Sequence, residues 1–425
     1  MDIAFSRSQF PAIQRNDGSF AFMDNAGGSA VLQSVAERVS DYLLNTNVQL
    51  GASYPTSQVS TKLVREGAVA GARFVNASSP DEIVLGSSTT QLFENLARSM
   101  EEHMVEGDEI IISETDHEAN CGSWARMCKR RNLVLKVWKC EGADQALVLE
   151  SLEAMLTPKT RLVCVTHCSN IVGTVNNVKE IAKLVHSIPG AEICVDGVAY
   201  ASHKIVDVQD LDVDYYCFSW YKVYGPHIAQ LYTAKRTFPR LGSINHYFLS
   251  PDMRPYIMQP GNLNYELSAS LPAIVAYIGD LGRAPADRLG VEGQKKVRGD
   301  AGATREELER GFQAMAAQEH KLVDKFLSYL ASKPAVYTTI GQKVASEARA
   351  ATISFTVANF KSEDFITKLD GYGIGARFGH FYAHRLVCGS LGLSDDGVVR
   401  VSMVHYNTVE EVEKLIAAMD EILGA

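Results

Sequence analysis

The sequence contains no uninterrupted apolar run long enough to cross a bilayer, so no membrane-spanning segment is predicted. Residues Met1 to Arg7 lack the charged-then-apolar layout of a signal peptide, and we therefore expect a cytoplasmic protein. Long basic blocks are also missing, since Lys129–Arg131 is the longest and the formal net charge is −9. A nucleic-acid partner is not expected for such a chain.

The sequence also lacks cysteine pairs at the spacing typical of metal sites. Its eight cysteines include no Cys-x-x-Cys pair. Cys164, Cys194 and Cys217 fall in apolar runs, where a thiol packs as a small hydrophobic group. The pattern predicts buried, free cysteines and no metal site.

From residue 26 to about residue 235, short apolar runs alternate with helical patterns. The runs are continuously apolar, which is typical of strands covered on both faces. This predicts an α/β domain with a large, mostly parallel sheet. Strands are predicted at 82–85, 109–112, 133–137, 162–165, 192–195 and 215–218, and helices at 92–102 and 178–185. An earlier helix is predicted with Ser29 as its N-cap and with Val31, Val35, Val39 and Leu43 on its apolar face.

The C-terminal part of the chain has the pattern of a smaller α+β domain. A helix is predicted from Arg305 to about Leu330, strands at 351–355 and 398–401, and a final helix from Thr408 to Leu423. Thr408 and Glu411 have the spacing of a capping box. We therefore divide the chain into an N-terminal arm (1–25), a large domain (26–280) and a small C-terminal domain (281–425).

One lysine at the end of a strand carries the strongest chemical signal. Lys222 follows the aromatic run 215–218 and precedes a Gly-Pro turn. Burial there disfavours the ammonium form, and a neutral amine forms a Schiff base with a carbonyl. Asp196 ends the strand 192–195, where a carboxylate suits the pyridinium nitrogen of pyridoxal phosphate (PLP). Together, Lys222 and Asp196 predict a PLP site.

Three further segments follow predicted strands. Residues 86–91 open a helix with small and hydroxyl side chains that suit a phosphate, although serine and threonine at helix starts are often only caps. His117 suits stacking on a ring and proton transfer, and Asn170 suits a cofactor oxygen, yet each also has ordinary structural uses. In an open α/β sheet, ligands collect at the carboxyl ends of strands, and all of these residues are predicted there. Arg400, inside an apolar strand, suits a substrate carboxylate or a structural ion pair.

With these residues assembled, the chain resembles the class V aminotransferase family of fold-type I PLP enzymes. Within that family it is most similar to the cysteine desulfurase-like group, beside cysteine desulfurases and isopenicillin N epimerase. The resemblance covers nearly the whole chain and is carried by residues 23–29, 116–120, 169–174, 219–222, 225–227 and 399–408.

The resemblance implies a role for each matching residue. Lys222 would hold PLP and, with His117 stacked on the ring, would be catalytic. Asp196 would pair with the ring nitrogen and Arg400 would bind the substrate carboxylate. Asn25 and Tyr382 are further candidates for substrate contacts. The remaining cofactor contacts would come from Asn170 at the phenolic oxygen, from Thr89, Thr90, Ser219 and Tyr221 at the phosphate, and from Asn262 at the phosphate of a neighbouring subunit, which implies a homodimer with shared sites.

Three departures from the family pattern bear on the reaction. Desulfurases carry a mobile cysteine where this chain has Tyr382, and Cys388 lies six residues further on. Ala199 replaces a larger glutamine or histidine, and Tyr221 replaces a histidine.

These departures leave two reactions open. The first is a biosynthetic enzyme of specialised metabolism that forms a C–C bond, as in a loline-type Mannich cyclisation, or epimerises an amino acid. The second is a C–S lyase without a persulfide cysteine. A non-catalytic protein of the same fold is disfavoured, because Lys222, Asp196 and Arg400 are all present.

Overall fold

The computed structural model describes residues 1–15, 18–250 and 252–424. The helices are α1 (Ile3–Ser8), α2 (Pro11–Gln14), α3 (Gln33–Asn45), α4 (Pro55–Val75), α5 (Thr89–Met100), α6 (Ala119–Arg131), α7 (Leu149–Met155), α8 (Val178–His186), α9 (Tyr265–Ser270), α10 (Pro272–Gly282), α11 (Gly290–Gln294), α12 (Arg305–Ser332), α13 (Ser362–Asp370) and α14 (Val409–Leu423).

The strands are β1 (Ala21–Phe22), β2 (Ile83–Gly86), β3 (Glu109–Ser113), β4 (Val134–Trp138), β5 (Thr160–Thr166), β6 (Glu192–Asp196), β7 (Tyr215–Ser219), β8 (Ala229–Thr233), β9 (Tyr337–Ile340), β10 (Thr352–Val357), β11 (Ile374–Gly375), β12 (Arg377–Gly379) and β13 (Val398–Ser402).

The large sheet has the order β2-β8-β7-β6-β5-β3-β4. Strands β3 to β7 pair in parallel, while β8 runs antiparallel between β2 and β7. Apolar side chains form a core on each face of this sheet, which explains why its strands are continuously apolar in sequence. The predicted α/β architecture with a mostly parallel sheet is confirmed.

The predicted start of the first long helix is wrong. α3 begins at Gln33, and Leu32 rather than Ser29 precedes it. The Ser29 hydroxyl instead donates to the Tyr221 carbonyl oxygen at 3.1 Å and accepts the Tyr224 N–H at 2.8 Å. Ser29 therefore ties the N-terminal segment to the turn that carries Lys222.

A smaller antiparallel sheet has the order β12-β13-β10-β9, with α13 and α14 packed beside it. The predicted capping box of the final helix is present, because Thr408 and Glu411 bond to each other's backbone N–H groups. Helix α12 contributes Leu308 and Phe312 to the core of the large sheet, and Leu322 and Phe326 to that of the small one.

The N-terminal arm reaches the small sheet region, because β1 pairs in parallel with β11. The division of the chain at residues 25 and 280 stays a proposal. In the part of the chain that the structure describes, no helix combines the length and the apolar character needed to traverse a lipid bilayer.

Candidate active site

A pocket opens at the carboxyl ends of β2, β3, β5, β6 and β7, and we call it the strand-end pocket. These ends lie side by side, since Asp196 of β6 pairs with Thr166 of β5 and with Cys217 of β7. The pocket is lined by eight of the residues predicted from sequence: Thr89, Thr90, His117, Asn170, Asp196, Ser219, Tyr221 and Lys222.

Lys222 lies at the end of a 3₁₀ turn, Trp220–Lys222, directly after β7. Burial of the amine and the positive charge of Arg400 together lower its pKa from 10.5 to about 8, although Asp196 opposes the shift. About a tenth of the amine is therefore neutral and nucleophilic at pH 7, far more than for an ordinary lysine.

Asp196 is buried at the end of β6, and one of its oxygens accepts the Val198 N–H at 2.9 Å. Burial raises the pKa of this carboxyl to about 6, and the Val198 hydrogen bond and Lys222 only partly compensate. A buried carboxylate with so few partners is stabilised by an additional cation or N–H donor, and the ring nitrogen of PLP would fit this need.

The opposite end of the pocket suits an anion. Ser88 caps α5, so that Thr89 and Thr90 occupy the first turn of a twelve-residue helix with its free N–H groups. The Thr89 and Ser219 hydroxyls lie 2.7 Å apart. Burial raises the pKa of the Tyr221 phenol, which therefore stays protonated and able to donate. These groups fit the phosphate of PLP.

His117 carries its proton on Nε2, because its Nδ1 accepts the Ala119 N–H at 3.0 Å. Burial, together with the charges of Lys222 and Arg400, lowers the pKa of His117 to about 4 and keeps the ring neutral. The preceding residue, Asp116, is buried and accepts hydrogen bonds from Ser113, Asn120 and the Thr166 N–H. Asp116 thus fixes the turn that presents His117.

Arg400 lies in the middle of β13 and is 2% exposed. Its guanidinium donates to the Asn170 carbonyl oxygen and to Asp24, each at 3.2 Å, and stacks 3.6 Å from the centre of the Phe381 ring. Its Nε has no hydrogen-bond partner among the described residues. A buried cation with an unused N–H is suited to a carboxylate ligand.

Besides Arg400, three predicted site residues lie outside the lining of the strand-end pocket. The buried Asn25 side chain donates from Nδ2 to the Ser402 carbonyl oxygen and to Asn407 Oδ1, and its Oδ1 accepts from the Tyr406 hydroxyl. Asn262 is exposed in a separate groove beside Tyr256.

The third, Tyr382, lies at the pocket mouth, 67% exposed, with its ring centre 5.3 Å from that of His117. It belongs to a segment, residues 380–383, that we call the Tyr382 loop. Phe381 and Tyr382 both have positive φ, 48° and 59°, which is unusual for residues with large side chains. The loop is fixed because Asn170 Nδ2 donates to the Phe381 carbonyl oxygen at 3.0 Å and the Glu118 N–H donates to that of Tyr382 at 2.8 Å.

Sequence reasoning missed two residues at the site. Cys168 lines the pocket, and burial raises the pKa of its thiol to about 12, so it is a poor nucleophile. Phe381 covers the guanidinium of Arg400. Neither has a local signal, because each acquires its position only when distant segments pack together.

The aminotransferase class-V family model matches residues 21–244 and 302–415. The chain belongs to this family. Class V aminotransferases depend on PLP, and this chain is a PLP-dependent enzyme. The family membership and cofactor expected from the sequence are confirmed.

Curated relatives match almost the whole chain. It is 43% identical to the aminotransferase-like protein FGM3 of Gibberella zeae, over 98% of this chain and 97% of that protein. It is 35% identical to the cysteine desulfurase-like protein ustD of Aspergillus flavus, over 100% of this chain and 91% of that protein. It also matches the nonribosomal peptide synthetase-like enzyme fsqF of Aspergillus fumigatus at 37% identity, over 98% of this chain but 26% of that protein.

Solved structures show the same fold. The cysteine desulfurase from Thermococcus onnurineus superposes with a TM-score of 0.82 at 24% identity, over 99% of this chain and 97% of that one. At this identity the likeness establishes the fold but not the reaction.

Proposed function

We propose that this class V enzyme removes the α-proton of an amino acid and then forms a C–C bond, in the manner of a loline-type Mannich cyclase, or returns the proton to the other face as an epimerase. The observation that carries the proposal is Tyr382, which lies at the pocket mouth beside His117 where desulfurases have their mobile cysteine. A relative described as a nonribosomal peptide synthetase-like enzyme supports a biosynthetic role in specialised metabolism.

In this proposal, Arg400 binds the α-carboxylate of the substrate through its unused Nε–H. Lys222 takes the α-proton as a neutral amine, a form that burial favours by lowering its pKa to about 8. PLP, when bound, supplies an electron-withdrawing ring that stabilises negative charge at the α-carbon. The carboxylate of Asp196 would stabilise the positive charge of that ring, and neutral His117 would be available to stack on it.

The other proposed contacts are the phosphate ligands Thr89, Thr90, Ser219 and Tyr221, the phenolic-oxygen contact Asn170, and Tyr382 beside the substrate. Asn25 has its side chain committed to other groups, so a substrate contact from it requires those bonds to rearrange.

The second candidate is a C–S lyase that releases sulfide or a thiol directly. The resemblance to proteins described as cysteine desulfurase-like supports it. The thiols in this region do not favour persulfide transfer, because Cys168 is buried with a raised pKa and the Cys388 thiol donates to the Ser394 carbonyl oxygen at 3.8 Å.

Isotope exchange separates the two candidates. Purified enzyme is incubated with single amino acids in heavy water, and mass spectrometry follows α-deuterium uptake while a sulfide assay runs in parallel. Exchange without sulfide from L-cysteine or cystine supports the proposal, and sulfide release from either overturns it in favour of the lyase. Lys222→Ala should abolish exchange and the visible absorbance of bound PLP, whereas the matched variant Lys204→Ala should keep both.

We further propose a homodimer in the cytoplasm. Asn262 lies outside the pocket of its own chain, and Tyr247 and Phe248 are 99% and 70% exposed, which suits a covered interface. All eight cysteines are free, as expected in a reducing compartment. Sedimentation equilibrium giving the mass of one chain would contradict the dimer.

A further inference from the structure

A cluster of three metal-ligand types lies on the surface beyond the Tyr382 loop. His384, Cys388 and Asp395 place Nε2 or Nδ1, Sγ and a carboxylate oxygen within 4.8 Å of one another. His384 Nε2 and Asp395 Oδ1 are 3.9 Å apart, and Cys388 Sγ and the same oxygen are 3.8 Å apart. His384 directly precedes the π-helix Arg385–Ser390, and Cys388 lies within it. The two residues are four positions apart, so that both side chains face Asp395.

These distances approach those of a tetrahedral metal site. Zinc bonds of about 2.3 Å to sulfur and about 2.0–2.2 Å to nitrogen or oxygen place neighbouring ligand atoms about 3.3–3.7 Å apart. Rotation of exposed side chains is sufficient to close the remaining gap. The imidazole, thiolate and carboxylate set suits Zn²⁺ rather than Mg²⁺ or Ca²⁺, which prefer oxygen ligands alone.

We propose that His384, Cys388 and Asp395 form a Zn²⁺ site, with water as the fourth ligand. Binding converts the Cys388 thiol to a thiolate, and the released proton passes to solvent, so no oxidant or reductant is required. The site is separate from the strand-end pocket and is independent of the reaction proposed above.

The position of the cluster gives the metal a structural consequence. His384 directly follows the Tyr382 loop, and Asp395 lies three residues before β13, the strand that carries Arg400. The neighbouring Asp396 accepts the Ser362 and Glu363 N–H groups at the start of α13, at 2.7 and 3.1 Å, which anchors this end of the cluster. A bound Zn²⁺ therefore links the Tyr382 loop to the small sheet.

Cobalt titration tests the site directly. Chelator-treated, PLP-loaded enzyme is titrated with Co²⁺, and a thiolate-to-cobalt absorption band should saturate at one ion per chain and disappear on adding Zn²⁺ but not Mg²⁺. Cys388→Ser should abolish the band. His384→Gln should weaken Co²⁺ binding by more than about 100-fold, because losing only a group that hydrogen-bonds to a metal ligand already costs about 10–100-fold.

Cys140→Ser is the matched control, since Cys140 is also only partly buried and lies beside Glu114. It should keep the band. Absence of the band in the unsubstituted enzyme, its survival in Cys388→Ser, or its equal loss in Cys140→Ser would each overturn the proposal. The unchanged absorbance of bound PLP shows in every variant that the chain is folded.

Discussion

At the scale of single residues, the site depends on opposing charges around one amine. Burial lowers the pKa of Lys222 and has the largest effect. The charge of Arg400 lowers it further, and the charge of Asp196 raises it. Each neighbour is itself shifted, because burial raises the pKa of Asp196 to about 6 and lowers that of Arg400 to about 10. Both still carry their charge at neutral pH.

The pH dependence of cofactor capture follows from this arrangement. Only the neutral amine attacks an aldehyde, so the rate at which apoenzyme captures PLP should rise with pH and level off above a midpoint near 8. Stopped-flow absorbance measures it. Arg400→Gln should move the midpoint up and Asp196→Asn should move it down. A midpoint at the ordinary lysine value of 10.5, unmoved by either change, would contradict the assignment.

The role of Arg400 in binding the substrate can be tested separately from that of Arg377, which also pairs with Asp24. Arg400→Gln should raise KM for the amino acid by about 30-fold or more, because losing a buried charged contact costs at least about 2 kcal/mol. Arg377→Gln is the control, since Arg377 also pairs with Asp24 but is 59% exposed. It should change KM by less than about threefold. Loss of PLP together with substrate in Arg400→Gln would indicate a structural arginine instead.

At the scale of elements, the parallel strands were predictable and their cross-contacts were not. β3, β5, β6 and β7 are continuously apolar runs, and the residues after them have chemical types that mark a site. β8 was not among the predicted strands, because its Gln230 and Thr233 are polar yet fully buried. The position of Asn170 was predictable, but its bond to the Phe381 carbonyl oxygen depends on a segment more than 200 residues away.

The Tyr382 loop yields a prediction at this scale. Tyr382→Phe removes only the hydroxyl from a largely exposed ring, so the free energy of unfolding should change by less than about 0.5 kcal/mol. If the phenol contacts substrate, steady-state kinetics should show kcat reduced by about tenfold or more at unchanged PLP affinity. Unchanged kinetics would remove Tyr382 from the site.

At the scale of the whole molecule, α12 joins the two cores and packs against α10, which belongs to the core of the large sheet. They cross at two glycines, where a Cβ on Gly311 would lie 2.2 Å from the Ile278 carbonyl oxygen and one on Gly282 would lie 2.2 Å from that of Glu307. The sequence pattern predicted a helix at α12 but not at α10, and the close approach of the two backbones appears only in the folded chain.

Gly311→Ala should therefore destabilise the protein by about 1–3 kcal/mol through overpacking, although alanine is the better helix former. Denaturant unfolding followed by circular dichroism measures it. Gly389→Ala is the control, because a Cβ at that helical position meets open space. Equal stability of the two variants would show that the helices separate easily.

Helix α12 also couples any relative motion of the two cores to its own bending. α12 has 28 residues, or about 42 Å at 1.5 Å per residue, and its two ends are embedded in different cores. Rotation of one core relative to the other must bend α12, because the close contact between the α12 and α10 backbones prevents the two helices from sliding past each other. Any such motion that widens the entrance to the pocket therefore bends α12.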